Sequence, residues 1–329
     1  MMSSPERSTT FDPSRDQHGF TGACFSLLKQ LQNSDGGWGF HSGGLSNVEA
    51  TCWAARALSS SSDASDLEAV QKAFEYLQSA QHSDGSWPAC GENPAGSWVT
   101  SLACSVLSGA PKASSNVRSG LSWLADDFPR DSSPLRRFVR KMMPGSPLSE
   151  QSDAFRGWGW TPRTSSWVEP TSFALMAFED CAGDLLPPNS TKRRESAIAL
   201  LYDRMCPGGG WNCGNPRVYG VDGEPLVLPT CWALLALCRQ PERPERAKSL
   251  AWLHRAFANV KSASSYAVAR VTFAAYGILP SPTEFDPTSC DPSELAAQSI
   301  HSLAWRCLES DAHRIWPTKE SVQQPGEGQ

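Results

Sequence analysis

Glu49 and Glu169 each stand two residues ahead of a threonine that opens an apolar run, Thr51 in TCWAARAL and Thr171 in TSFALMAF. A carboxyl in the first turn of a helix is favoured by the helix dipole. If packing also draws it out of water, its pKa rises and it keeps a proton near neutrality, as a general acid or a ligand anchor must. Trp167, beside Glu169, supplies bulk for that desolvation. Trp53, Trp98, Phe173, Trp232 and Phe273 lie in or beside the same runs. Their faces attract cations, and the plain alternative is that they pack as core. Arg56 and Arg270 sit among apolar neighbours, with Tyr266 one helical turn before Arg270 and on its face. A buried guanidinium needs an anion, either Glu49 or Glu169 within the fold or a ligand diphosphate. Asp222 and Glu224 in YGVDGE are a further carboxylate pair, or ordinary turn residues.

The elements that must position these groups repeat along the chain. A Trp-bearing turn is followed by a Thr-headed, alanine-spaced helix: Trp38 and Thr51, Trp87 and Thr100, Trp158 and Thr171, then Trp211 and Thr230 with six extra residues between them. A fifth helix, Val271 to Ile278, is read in the same register without its turn. Before the turns come one-sided helices. Residues 67–81 carry Val70, Ala73, Phe74 and Leu77 on one stripe, which suits an outer helix facing water. The Thr-headed runs are apolar or small on nearly every side and must be surrounded. Each unit is therefore an outer helix, a Gly-Trp turn and an inner helix. Inner helices are expected at 47–59, 97–108, 168–180, 227–239 and 264–279, with 293–308 as a sixth helix of outer type. The fold class is all-α, an α/α toroid of five to six concentric outer and inner helix pairs, with an open solenoid as the alternative. The small residues Ala54, Ala103, Ala174, Ala233 and Ala274 are assigned to one equivalent position.

Composition sets limits. The 329 residues carry a net charge of −5, which gives no reason to expect nucleic acid. Eleven cysteines lack a C-x-x-C pair, and Cys52, Cys104 and Cys231 fall inside apolar helices, as reduced cytoplasmic thiols do. No apolar run is long enough to span a bilayer. Residues 1–16 and 318–329 read as disordered tails around a single toroid domain at 17–317. Within it, the insertion 133–148 packs Arg136, Arg137, Arg140 and Lys141 beside Leu135, Phe138, Val139, Met142 and Met143. That is a basic amphipathic helix suited to peripheral contact with an anionic membrane, or equally a solvated cap on the toroid.

Gln32-Asn33-Ser34-Asp35-Gly36-Gly37-Trp38 and Gln81-His82-Ser83-Asp84-Gly85-Ser86-Trp87, each leading to a Thr-headed helix, resemble the repeats of the squalene–hopene cyclase and protein prenyltransferase β-subunit superfamily. The resemblance runs from about residue 18 to 280. It implies a terpene-cyclase-like protein, an isomerase that folds a polyprenyl or triterpenoid-type lipid in a central cavity, with no cofactor. The resembled cyclases hold their proton donor two residues before the Thr, in Asp-x-Asp-Asp. Here that place holds Glu49, Trp98, Glu169 and Leu228, with Ala269 in the fifth copy, and the acid motif is absent. Glu169 is the first candidate donor and Glu49 the second. Trp53, Trp98, Trp167, Phe173, Trp232, Tyr266, Arg270 and Phe273 are the candidate substrate-binding set. Prenyltransferase β-subunits hold zinc with Asp, Cys and His. Asp222, Cys231 and His301 are too scattered in sequence to show that spacing, so no metal is expected. The alternatives are a noncatalytic toroid that binds a lipid or a protein partner, and a prenyltransferase-like subunit.

Overall fold

The computed structural model describes residues 13–61, 63–90, 95–129, 152, 154–181, 183–285 and 291–309, with positions 138 and 142. Residues 1–12 and 318–329 of the expected tails and most of the basic insertion, including Arg136, Arg137, Arg140 and Lys141, lie outside the described residues.

Helices alternate between two layers. The outer helices are α1 (Pro13–Gln30), α3 (Ala64–Ser79), α5 (Ser114–Asp126), α7 (Ser190–Asp203), α9 (Pro244–Phe257) and α11 (Pro292–Gln298). The inner helices are α2 (Val48–Leu58), α4 (Val99–Leu107), α6 (Val168–Asp180), α8 (Val227–Leu237), α10 (Ala263–Ala275) and α12 (Ile300–Leu308). Each inner helix packs against the next, and α12 returns to pack on α2, so the ring closes. The fold is an α/α toroid. α1 begins at Pro13, ahead of the boundary expected at 17.

One hydrogen bond sets the repeat spacing. The backbone N–H of each turn Trp donates to the hydroxyl of its Thr: Trp38 to Thr51 at 2.9 Å, Trp87 to Thr100 at 3.0 Å, Trp158 to Thr171 at 3.0 Å and Trp211 to Thr230 at 2.8 Å. Each indole N–H then donates to a carbonyl at the end of the preceding outer helix, from Leu28, Leu77, Leu124 and Leu201 in turn. The turn thus ties an outer helix to its inner partner, and all four rings are buried. Gln32 and Gln81 extend the tie sideways, donating to their own turn and to the next outer helix at Ala69 and Asn116. In the third repeat the equivalent position is Ser152. There Arg193 reaches back from α7 to the carbonyls of Asp127 and Gly157, its guanidinium 4.0 Å from the centre of the Trp158 ring. Gly36 and Gly85 have φ of +88° and +92°, and a Cβ on either would meet a backbone carbonyl of the next outer helix at 2.5 and 2.7 Å.

Two expectations are corrected. Residues 293–308 form two helices, because extended Ser299 (φ −168°, ψ 123°) breaks the run and turns Ile300–Leu308 into the ring as a sixth inner helix. The six extra residues of the fourth repeat form a hairpin, Arg217–Val218 paired with Val221–Asp222. Its tip, Tyr219 and Gly220, holds φ of 53° and 78°, as a tight two-residue turn requires.

The second correction concerns register in α10. In α2, α6 and α8 the N-cap residue lies four before the Thr and its carbonyl accepts the Thr N–H: Asn47 from Thr51, Trp167 from Thr171, Leu226 from Thr230. The same bond joins Ser262 to Tyr266 in α10 and Ser299 to Leu303 in α12. Tyr266, not Val271, therefore stands in the place of the Thr. The small residue three further on is Ala269 instead of Ala274, and Ala54, Ala103, Ala174, Ala233 and Ala269 are all fully buried.

Candidate functional site

With the caps aligned, the inner helices present two layers at their N-terminal ends, which share one face of the toroid. Two residues before the Thr position come Glu49, Trp98, Glu169, Leu228, Ser264 and His301. Two residues after it come Trp53, Leu102, Phe173, Trp232, Val268 and Trp305.

The deeper layer is a floor of rings. Trp53 stacks on Trp232 with centroids 5.6 Å apart, Trp305 lies 4.9 Å from each, and Phe173 lies 4.9 Å from Trp232. α2 and α8 stand opposite one another in the ring, so these rings meet across the axis and fill it at that level. Trp98 stacks on Phe173 at 5.1 Å and meets Trp160 edge-on at 5.1 Å.

The upper layer is the mouth. Burial pushes the Glu49 carboxyl up to about 7 and raises that of Glu169. Neither glutamate has a hydrogen-bond or ion-pair partner among the described residues. Burial likewise holds the His301 imidazole down to about 4, and its ring packs at 5.7 Å from Trp53 and 6.4 Å from Trp232. Glu49, Trp98 and Glu169 occupy the same level on three consecutive helices, two half-buried carboxyls on either side of an indole. Trp167 is the N-cap of α6 and pairs across its turn with Trp158. Cys213 is close enough to Glu169 for that carboxyl to raise the thiol pKa, after the larger effect of burial.

The candidate set divides. Trp53, Trp98, Phe173 and Trp232 come together with Glu49 and Glu169 around the mouth and its floor. Phe273 and Tyr266 do not join them. Both rings pack on Phe257 of α9, at 5.4 and 5.3 Å, in the layer between outer and inner helices. Arg270 pairs with Glu309 at 2.6 Å. Arg56 pairs with neither Glu49 nor Glu169. It reaches Asp180 at 3.2 Å, and Asp180 also takes Arg239 at 2.7 Å, at the opposite face of the toroid where the inner helices end. Asp222 pairs with Arg217 across the hairpin at 3.4 Å. Sequence reasoning weighed His301 only as a scattered metal candidate and missed Trp305 and Trp160. His301 and Trp305 lie in a run read as outer helix, and the one-sided pattern of IHSLAWRCL fits that reading, so the segment itself gave no sign of the inner ring. Among the described residues no three His, Cys, Asp or Glu side chains converge on a metal site, and no helix is long and apolar enough to cross a membrane.

The chain belongs to the prenyltransferase alpha-alpha toroid domain family, whose model matches residues 17–128 and 156–271. No curated relative matches it. A protein from Actinoplanes is 18% identical over 92% of this chain and 100% of its own, with a TM-score of 0.59. A glycosidase variant, 10% identical over 94% of this chain and 100% of its own, has a TM-score of 0.55. The type II terpene cyclase MstE from Scytonema, solved with geranylgeranyl dihydroxybenzoate, is 14% identical over 90% of this chain and 98% of its own, with a TM-score of 0.38. At these identities the likeness to the first two is one of fold.

Proposed function

We propose that the protein is terpene-cyclase-like. It takes the chain of a polyprenyl or triterpenoid-type lipid into the N-terminal mouth of the inner ring and cyclises it intramolecularly, with Glu49 as the proton donor and Glu169 beside it. The observation that carries this reading is the pair of unpartnered carboxyls flanking Trp98 above an aromatic floor. An acid kept protonated by burial has a proton to give, and indole faces stabilise the cation that follows. Rings that meet across the axis suit a folded chain rather than a threaded one. Exposed Phe40, Leu45, Tyr219, Val221 and Leu226 lie in loops on the mouth face, which supports peripheral contact with a membrane from which such a lipid would come. Cytoplasmic placement belongs to the same reading and is supported by the free thiols of the described cysteines.

A second reading has its own observation. A carboxyl that holds its proton to about 7 is a weak donor to a carbon–carbon double bond, and no second acid assists Glu49 among the described residues. That favours a noncatalytic toroid that binds a lipid or a protein partner. Incubation in deuterated water with polyprenols, polyprenyl diphosphates, squalene and squalene epoxide, followed by mass spectrometry of the organic extract, separates the two. Proton-initiated cyclisation yields an isomer that has gained a deuteron and lost a proton, and Glu49→Gln abolishes it. A panel recovered unchanged establishes the binding reading instead.

A further inference from the structure

Three observations among the described residues set the charge of the mouth. The carboxyls of Glu49 and Glu169 face no donor among the described residues. The other residues at their level (Trp98, Leu228, Ser264 and His301) include no lysine or arginine. The arginines of the inner helices are engaged elsewhere: Arg56 with Asp180, and Arg270 and Arg306 with Glu309. A half-buried pair of acids with an indole between them and aromatic rings beneath is negative in potential and apolar in surface. Its complement is a positive charge carried on hydrocarbon.

We propose that the mouth is a binding site for a lipophilic organic cation, an amine or quaternary ammonium on an isoprenoid-length tail, held between Glu49 and Glu169 over Trp98. The inference deepens the reading above and rests on it, since the site must first admit an apolar chain. The ammonium draws on both attractions at once: Coulombic attraction to carboxylates in a partly dehydrated site, and the negative faces of the rings. A strongly hydrated metal ion gains little from an indole, and an anion meets two acids. The raised pKa values agree with this arrangement: burial disfavours the charged form of both acids, and a cation seated between them favours it.

The experiment compares three probes with one tail, farnesyltrimethylammonium, farnesol and farnesyl sulfate, against the full chain at pH 8. Tryptophan fluorescence and calorimetry read the binding. The cation is expected to bind on the order of tenfold more tightly than farnesol, and the sulfate more weakly than either. Glu49→Gln and Glu169→Gln each reduce the preference, and the double variant abolishes it while still binding farnesol, which also shows that it is folded. Equal affinity for the three probes, preference for the sulfate, or a cation preference that survives in the double variant overturns the inference and leaves the lipid-binding reading standing. Failure of all three probes to bind overturns both.

Discussion

Trp53 and Trp232 belong to helices on opposite sides of the ring, yet their indoles stack at 5.6 Å with an interplanar angle of 22°. Their contact crosses the axis of the toroid, so two helices that are not neighbours in the ring are joined through their side chains. Trp53→Ala removes a ring that also meets Phe173 and Trp305, and is expected to cost about 3–5 kcal/mol. Chemical denaturation measures it. A loss under 1 kcal/mol, well below the usual cost of a buried aromatic truncation, shows that the stack adds nothing to stability.

Trp38→Ala and Trp87→Ala each remove a fully buried ring and the indole bond to the preceding helix. Each is expected to cost about 3 kcal/mol or more. Thr51→Val, which removes the hydroxyl that accepts the Trp38 N–H, leaves a buried donor unpaired and is expected to cost about 1–3 kcal/mol. Thermal melts unchanged within a degree or two would show the rings to be decorative.

Gly36→Ala and Gly85→Ala place a Cβ at positive φ and against a backbone carbonyl. Each should destabilise by more than about 1 kcal/mol, since neither strain can be relieved by a side-chain rotation. Gly43 also has positive φ (74°) but open space around it, and Gly43→Ala is the control that isolates the clash. Equal melts for the three variants contradict it.

The Glu49 carboxyl is raised by burial from its ordinary 4.5 to about 7. Between those values the folded protein keeps a proton that the unfolded chain releases. Its contribution to stability is therefore full below the unfolded value, falls as pH rises towards 7, and stays lost above it. Glu49→Gln cannot ionise, so it is expected to melt above wild type at pH 8 and level with it near pH 4. His301 imposes an opposite slope at acid pH, but on both proteins, and drops out of the difference. A variant that melts lower than wild type at pH 8 refutes a desolvated, unpartnered Glu49.

Asp180 gathers Arg56, Arg239 and the Ser105 hydroxyl at the far face. Asp180→Asn leaves two half-buried guanidinium groups without their carboxylate and is expected to cost about 2 kcal/mol, allowing for partial exposure of the arginines. High salt should narrow the gap to wild type only slightly, because the pairs are shielded from solvent. A gap that closes in salt contradicts it.

The parts of this fold legible in the sequence are those enforced by a local bond. The interval from Trp38 to Thr51 is readable because a hydrogen bond fixes it, and the fourth interval stretches only where a hairpin bulges out between the same two partners. Register in α10 was not readable, since no Trp turn anchors it and Val271 offers the same apolar signal as the true position, Tyr266. The partners of Arg56 and Arg270 were hidden for another reason. Asp180 and Glu309 end helices far along the chain, and nothing local marks them. At the site, cap spacing exposed Glu49 and Glu169. His301 and Trp305 depend on a break at Ser299 that a polar serine alone does not announce.

The ring is completed by its first loop. Ile300 donates its N–H to the carbonyl of Phe40 at 2.8 Å and Ser42 donates to Ala296 at 3.1 Å, so the earliest turn of the chain holds its last described helix pair. During synthesis α2 leaves the ribosome with one flank bare, and it stays bare until some 250 further residues have been translated, on the order of a quarter of a minute or more. The nascent protein must therefore wait as an open arc with apolar ends. Its vulnerable period for misassociation ends only when residue 308 has emerged, and termination between the fourth repeat and Ile300 would leave a product that lacks the segment that shuts the circle.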